Sequence, residues 1–221
     1  MSNNAAMTKN DLIEMIGHIS AKIVENKEYL SKLDTEIGDG DHGYGMASGF
    51  KSFAEKLGEF GAGDIGGLLK KGGFEIIKVV GGASGAIFGT LFMGQAMHYE
   101  SKLKGKETLS LGDMTGMFTE ALCQIKKRGG ASVGEKTMVD ALEPAVGELD
   151  ETVKEGASFR DAFARAAKKA REGAEGTKKM VATKGRAKNL GQRSIGYPDP
   201  GAMSTAIIFE AMAEFFALKN L

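Results

Sequence analysis

Residues 32–50 read KLDTEIGDGDHGYGMASGF. Asp34, Asp39 and Asp41 fall within eight positions, Gly38 and Gly40 are threaded between them, and a periodic run follows directly. In that run Met46, Phe50, Phe53 and Leu57 are spaced by four, three and four, which places them on one face of a helix. The same period continues on both sides. Leu12, Ile16, Ile19 and Ile23 precede the acidic stretch. After it come a segment from about Ile65 to Val80, one with Ile87 and Leu91, and one from Leu111 through Met114 and Phe118 to Ile125. The last three carry Met138, Leu142, Val146 and Leu149; Phe159, Phe163 and Ala166; and, from about Met203 to the end, Ile207, Met212, Phe215 and Leu218. No stretch shows sustained strand alternation. Ser158, and Thr137 with Asp140, supply helix start signals for two of these segments. The expectation is an all-α chain of about eight helices in one domain over residues 1–221, with mostly short connections that favour up-and-down antiparallel neighbours. Asp34 would close the first helix. Residues 178–201 are basic, contain glycine and lack periodicity, and a loop of that length is usually either functional or disordered.

Composition narrows the function classes. Lysine plus arginine equal aspartate plus glutamate at 29 each, so no global basic field draws nucleic acid. Cys123 is the only cysteine, which excludes an intrachain disulfide and a cysteine cluster for zinc. The polar start MSNNAAMTKN has no signal-like apolar core, and no apolar run of membrane-spanning length stands out. A cytoplasmic protein with no membrane partner is expected. Glycine is the anomaly, at 32 residues against 3 prolines, and it gathers in short loops between the periodic segments. Such loops suit tight turns or close approach to a ligand.

Five segments offer chemistry. Three crowded carboxylates suit a hard divalent cation, or else form a solvated acidic loop that caps the next helix. His42-Gly43-Tyr44-Gly45 opens that helix, where free N–H groups and the positive dipole end favour phosphate. The alternative there is a capped helix with a surface histidine. Gly81-Gly82-Ala83-Ser84-Gly85 opens another helix, either for a phosphate or for close helix packing at Gly85, Gly89 and Gly94. Gly129 begins a glycine loop that ends at Met138, a residue suited to a purine ring or to the core. Lys184, Arg186 and Arg193 offer cations for phosphate oxygens or form a solvated basic loop, and Asp199-Pro200-Gly201 reads as a tight turn.

Together these stretches resemble the L subunits of dihydroxyacetone kinases. The likeness rests on EIGDGDHG, GGASGAIFGTLF, GEKTMVDAL and KGRAKNLGQRSIGYPDPGA, in the family's order and at about its spacing. The resemblance implies an eight-helix antiparallel up-and-down barrel with a nucleotide, ADP or ATP, at one end. It implies that Asp34, Asp39 and Asp41 hold two Mg²⁺ ions. It places His42, Gly43, Tyr44, Gly45, Ala83, Ser84, Gly129, Met138, Arg186, Asp199, Pro200 and Gly201 at the nucleotide. Glu135 stands where many relatives have aspartate. The triose would sit on a separate K subunit, and a phosphotransferase-system M subunit would recharge bound ADP. An ATP-dependent triose or tetrulose kinase is the alternative, and a non-catalytic, nucleotide-dependent regulator touching a transcription factor is a reading of another class.

Overall fold

The computed structural model describes residues 6–219. Met1–Ala5 and the last two residues, which the sequence reading assigned to the polar start and the final helix, lie outside the described part. The chain forms α1 (Lys9–Glu25), α2 (Lys27–Ile37), α3 (His42–Glu55), α4 (Leu57–Phe60), α5 (Ile65–Val80), α6 (Gly82–His98), α7 (Leu111–Gly129), α8 (Val139–Glu155), α9 (Phe159–Gly176) and α10 (Pro200–Lys219). The eight expected segments are all present. Two breaks divide what the periodicity read as continuous. Asn26 ends α1 by turning its side-chain amide onto the Lys22 carbonyl (2.9 Å), the local competition that makes asparagine a poor helix interior residue. Asp34 therefore lies in the last turn of α2 instead of closing the first helix. Lys56 separates α4 from α3, so Leu57 starts a short turn of its own.

Side-chain caps mark several starts. Thr8 with Asp11, and Ser110 with Asp113, form reciprocal capping boxes, and the Ser158 side chain accepts the Asp161 N–H. A short antiparallel ladder pairs Met7 with Leu109 and Thr8 with Thr108, a pairing too brief for any alternation to announce.

Packing runs in a definite order. α1 lies on α3, α3 on α5, and each helix from α5 to α9 on its successor, while α10 returns to α1. α2 crosses α3. Phe50, Phe53 and Phe92 meet edge-on, and Phe118, Phe163, Phe209 and Phe216 form a second aromatic group. The α5–α6 contact depends on missing side chains: a Cβ on Gly89 would lie 2.6 Å from the Gly73 carbonyl oxygen. Gly85 and Gly94 also face close neighbours, so the packing reading of these glycines holds. Helix α10 is buried on all sides from Ala202 to Phe209. By length and composition it could cross a membrane, unlike the sequence expectation, but 67% of its apolar window is buried inside this molecule.

Candidate functional site

The N-termini of α3, α6, α8 and α10 and the C-termini of α2, α5 and α7 line one cavity of about 770 Å³. Each N-terminus contributes N–H groups without helical partners and a positive dipole end. Convergence of four such ends makes an anion site, and the volume suits a small-molecule ligand.

One end of the cavity is acidic. Carboxylate oxygens of Asp34, Asp39 and Asp41 all lie within 4.8 Å of one another. Asp34 accepts the first N–H of α3, from His42, at 3.2 Å. Asp41 sits at the N-cap position of α3 yet makes no side-chain cap bond. Capping thus accounts for Asp34 alone. The Arg186 guanidinium lies against Asp39 and 3.6 Å from Asp41, leaving excess negative charge. Three hard oxygen donors within reach of one ion, two of them unused by caps, fit a divalent cation such as Mg²⁺.

His42 is buried, contrary to the surface-histidine alternative. One ring nitrogen meets Ser84 Oγ at 3.2 Å and the other meets Ser204 Oγ at 2.8 Å. A single imidazole thus ties together the first turns of α3, α6 and α10. Burial pushes its pKa down to about 4, against an opposing pull from Asp34, so the ring is neutral at pH 7. A neutral ring can donate to one serine and accept from the other. At α6, Gly81 and Gly82 have φ of 68° and 56°, with open space where a Cβ would project. Glycine is needed there for the backbone conformation that turns the chain into the α6 N-terminus beside Ala83 and Ser84.

The opposite wall is apolar. Ile87, Ile125, Ala131, Met138 and Val139 line it, and Gly129 leaves room beside Ile87. The α8 entrance is held by Asp140, whose carboxylate accepts the N–H groups of Gly134 (2.5 Å) and Thr137 (2.7 Å). Asp199 is a helix cap rather than part of a free tight turn. Its Oδ2 accepts the Ala202 N–H at 2.7 Å, and Pro200 occupies the first helical position. Burial raises Asp199 to about 7, with the Ala202 N–H and Lys136 pulling it down and Asp140 and Asp34 adding to the rise. The 178–201 segment is anchored by Ala182 and Ala187 packing with Ile37, and by Ser194, whose Oγ accepts the Ala182 N–H.

Every residue that the resemblance placed at the nucleotide or the metal lines this cavity except Gly43, whereas Arg193, offered as a further cation, does not. Gly43 faces α2, where a Cβ would strike the Lys27 carbonyl. Tyr44 stands at the edge, its hydroxyl donating to Glu28 at 2.7 Å. Lys136, Thr137 and Arg128 also line the cavity and were not named as site residues. Lys136 lies within the GEKTMVDAL stretch, but only the fold reveals that it is buried.

An acidic cluster facing converging helix N-termini in a helical fold has the features that suit a polyphosphate held with a divalent cation. Residues 36–214 match the DAK2 domain family. The chain is 37% identical over 206 residues to the ADP-binding subunit DhaL of PEP-dependent dihydroxyacetone kinase 1 of Listeria innocua, covering 93% of this chain and 96% of that one. It is 36% identical over 208 residues to the corresponding subunit of Escherichia coli, covering 94% and 97%. The crystal structure of the C. freundii dihydroxyacetone kinase in complex with AMP-PNP and Mg²⁺ superposes with a TM-score of 0.71 at 27% identity, over 91% of this chain and 33% of that chain. The chain therefore belongs to the DAK2 domain family, among the DhaL-type subunits.

Proposed function

We propose that this protein is the ADP-binding phosphotransferase subunit of a phosphoenolpyruvate-dependent dihydroxyacetone kinase. The observation that carries this reading is the acidic cluster of Asp34, Asp39 and Asp41 set among four helix N-termini in a single cavity. In this reading Asp34, Asp39 and Asp41 hold two Mg²⁺ ions, which supply charge neutralisation for the nucleotide's phosphates. The N-termini of α3 and α6, with Ser84, orient phosphate oxygens, while Arg186 adds a cation above them. His42, held neutral between Ser84 and Ser204, fixes these helix ends relative to one another. Met138, Gly129 and the apolar wall receive the base, and Tyr44 and Gly45 border the ribose and phosphate side. Asp199-Pro200-Gly201 closes the α10 side. The packing order, which returns from α10 to α1, supports an eight-helix up-and-down barrel with the nucleotide at one end. The whole chain acts as one cytoplasmic nucleotide-binding unit. It passes phosphate to dihydroxyacetone on a K subunit and is recharged by a phosphotransferase-system M subunit. Contact with a transcription regulator is a secondary role compatible with the same site.

An ATP-dependent triose or tetrulose kinase subunit is the second reading. It is favoured by one observation: the C. freundii kinase carries the matching unit as a third of a longer chain. Nucleotide content separates the two. Protein purified without added nucleotide, gel-filtered and denatured, is expected to release near-stoichiometric ADP. An empty protein that binds ATP and Mg²⁺ reversibly would favour the second reading. One that binds neither nucleotide would refute both.

A further inference from the structure

Lys136 is 1% exposed and is the one non-glycine residue with positive φ (61°) among the described residues. A lysine ordinarily keeps its ammonium in water and its backbone out of this region. Both departures occur in one residue at the edge of the cavity, and such outliers persist only where the surroundings over-determine them. The surroundings do so here. Glu135 accepts the Ser132 N–H at 2.7 Å and the Thr183 hydroxyl at 2.9 Å, tying the loop to the segment that leads to Arg186. Asp140 holds Thr137 from the other side.

The Lys136 ammonium donates to the Thr177 carbonyl at 2.8 Å and to the Tyr197 carbonyl. Thr177 Oγ1 in turn accepts the Asp199 N–H at 2.8 Å, and Asp199 caps α10 through Ala202. A continuous chain of contacts thus runs from the α7–α8 loop to the first turn of α10. Ser204, at the start of the next turn, meets His42 beside the carboxylate cluster. We propose that Lys136 is a positioning residue for the polyphosphate end of the site, holding the α10 N-terminus in register with the α3 N-terminus through Thr177 and Asp199. It touches no phosphate itself. Burial disfavours its charge, and the Asp199 and Asp140 carboxylates oppose that effect.

The inference rests on the nucleotide-binding reading, and the test distinguishes the two. Calorimetry in Mg²⁺ buffer compares adenosine, AMP and ADP for wild type, Lys136→Met and Thr177→Val. Both substitutions are expected to weaken ADP about tenfold, Lys136→Met by loss of a charge-assisted contact and Thr177→Val by leaving the Asp199 N–H without its partner, while adenosine affinity changes less than about twofold. Thr177→Val is nearly isosteric and keeps the carbonyl that Lys136 binds, so it tests the chain of contacts even where Lys136→Met does not fold. A general loss of structure would weaken all three ligands alike. Equal losses for adenosine and ADP, or wild-type ADP affinity in Thr177→Val, would overturn the proposal. A wild-type protein that binds no nucleotide would overturn the proposed function and this inference with it.

Discussion

Replacing Asp41 by alanine separates the two roles open to the acidic turn. Its side chain is 72% exposed, so truncation empties no core. It makes no cap hydrogen bond, so no cap is lost. Its ligand oxygens lie within 4.8 Å of those of Asp34 and Asp39, where each like-charge pair repels by about 0.9 kcal/mol at the dielectric constant of water. Both repulsions vanish in Asp41→Ala. The attraction to Arg186 at 3.6 Å, about 1.2 kcal/mol on the same scale, is lost as well. The difference is a gain of about 0.6 kcal/mol in metal-free buffer, a rise of about 1–2 °C in Tm for a chain of this size. A capping aspartate would instead lose about 1 kcal/mol. The assay is denaturation in EDTA, followed by melting with Mg²⁺ and ADP. Wild type at a hundredfold excess of ligand over Kd gains about 2.7 kcal/mol, and the variant should lose most of that increment. A variant that is less stable than wild type in EDTA by about 1 kcal/mol or more, yet keeps its response to Mg²⁺ and ADP, would refute the metal assignment and restore the capping one.

Further outcomes follow from individual contacts. Gly89→Ala drives a methyl group toward the Gly73 carbonyl and should cost about 1–3 kcal/mol in urea denaturation, without altering the cavity residues. Ser84→Ala removes a hydroxyl at the α6 N-terminus and should raise the Kd for ADP with Mg²⁺ by about 2–10-fold, measured calorimetrically, and lower Tm by about 2–4 °C because the buried His42 ring loses one partner. Asp113 is subject to a burial effect that raises its pKa, but hydrogen bonds from Lys106 and Ser110 outweigh it and hold the carboxyl below its usual 3.8. Its folded value is depressed, so its contribution is complete above the unfolded pKa and is lost as pH falls through the folded one. Asp113→Asn should therefore flatten the loss of stability below about pH 4, read from denaturation midpoints at successive pH values.

The residues themselves determined the helices wherever a single apolar stripe faces the core. Leu12 to Ile23, Phe159 to Ala170 and the capped start at Ser158 needed nothing beyond local spacing and a hydroxyl. They also showed the chemistry on offer at the acidic turn, where three carboxylates fall within eight positions, while the turn itself brings them within 4.8 Å of one another. The breaks at Asn26 and Lys56 were not legible, since the apolar period runs through both and a one-residue departure leaves it almost intact. Gly43 illustrates the same limit at the site: chain neighbours of a ligand-facing residue point elsewhere on a helix, and only the position of α2 decides where. Assembly of the cavity belonged to tertiary structure. Asp34, Ser84, Met138 and Asp199 come from four separated segments, and the order of helix packing brings their ends together. Burial belonged there too. His42 and Lys136 are polar residues in glycine-rich loops, which local pattern assigns to solvent. Only the fold, by removing water and supplying Ser84, Ser204, Thr177 and Tyr197 as partners, made one neutral and the other a buried cation.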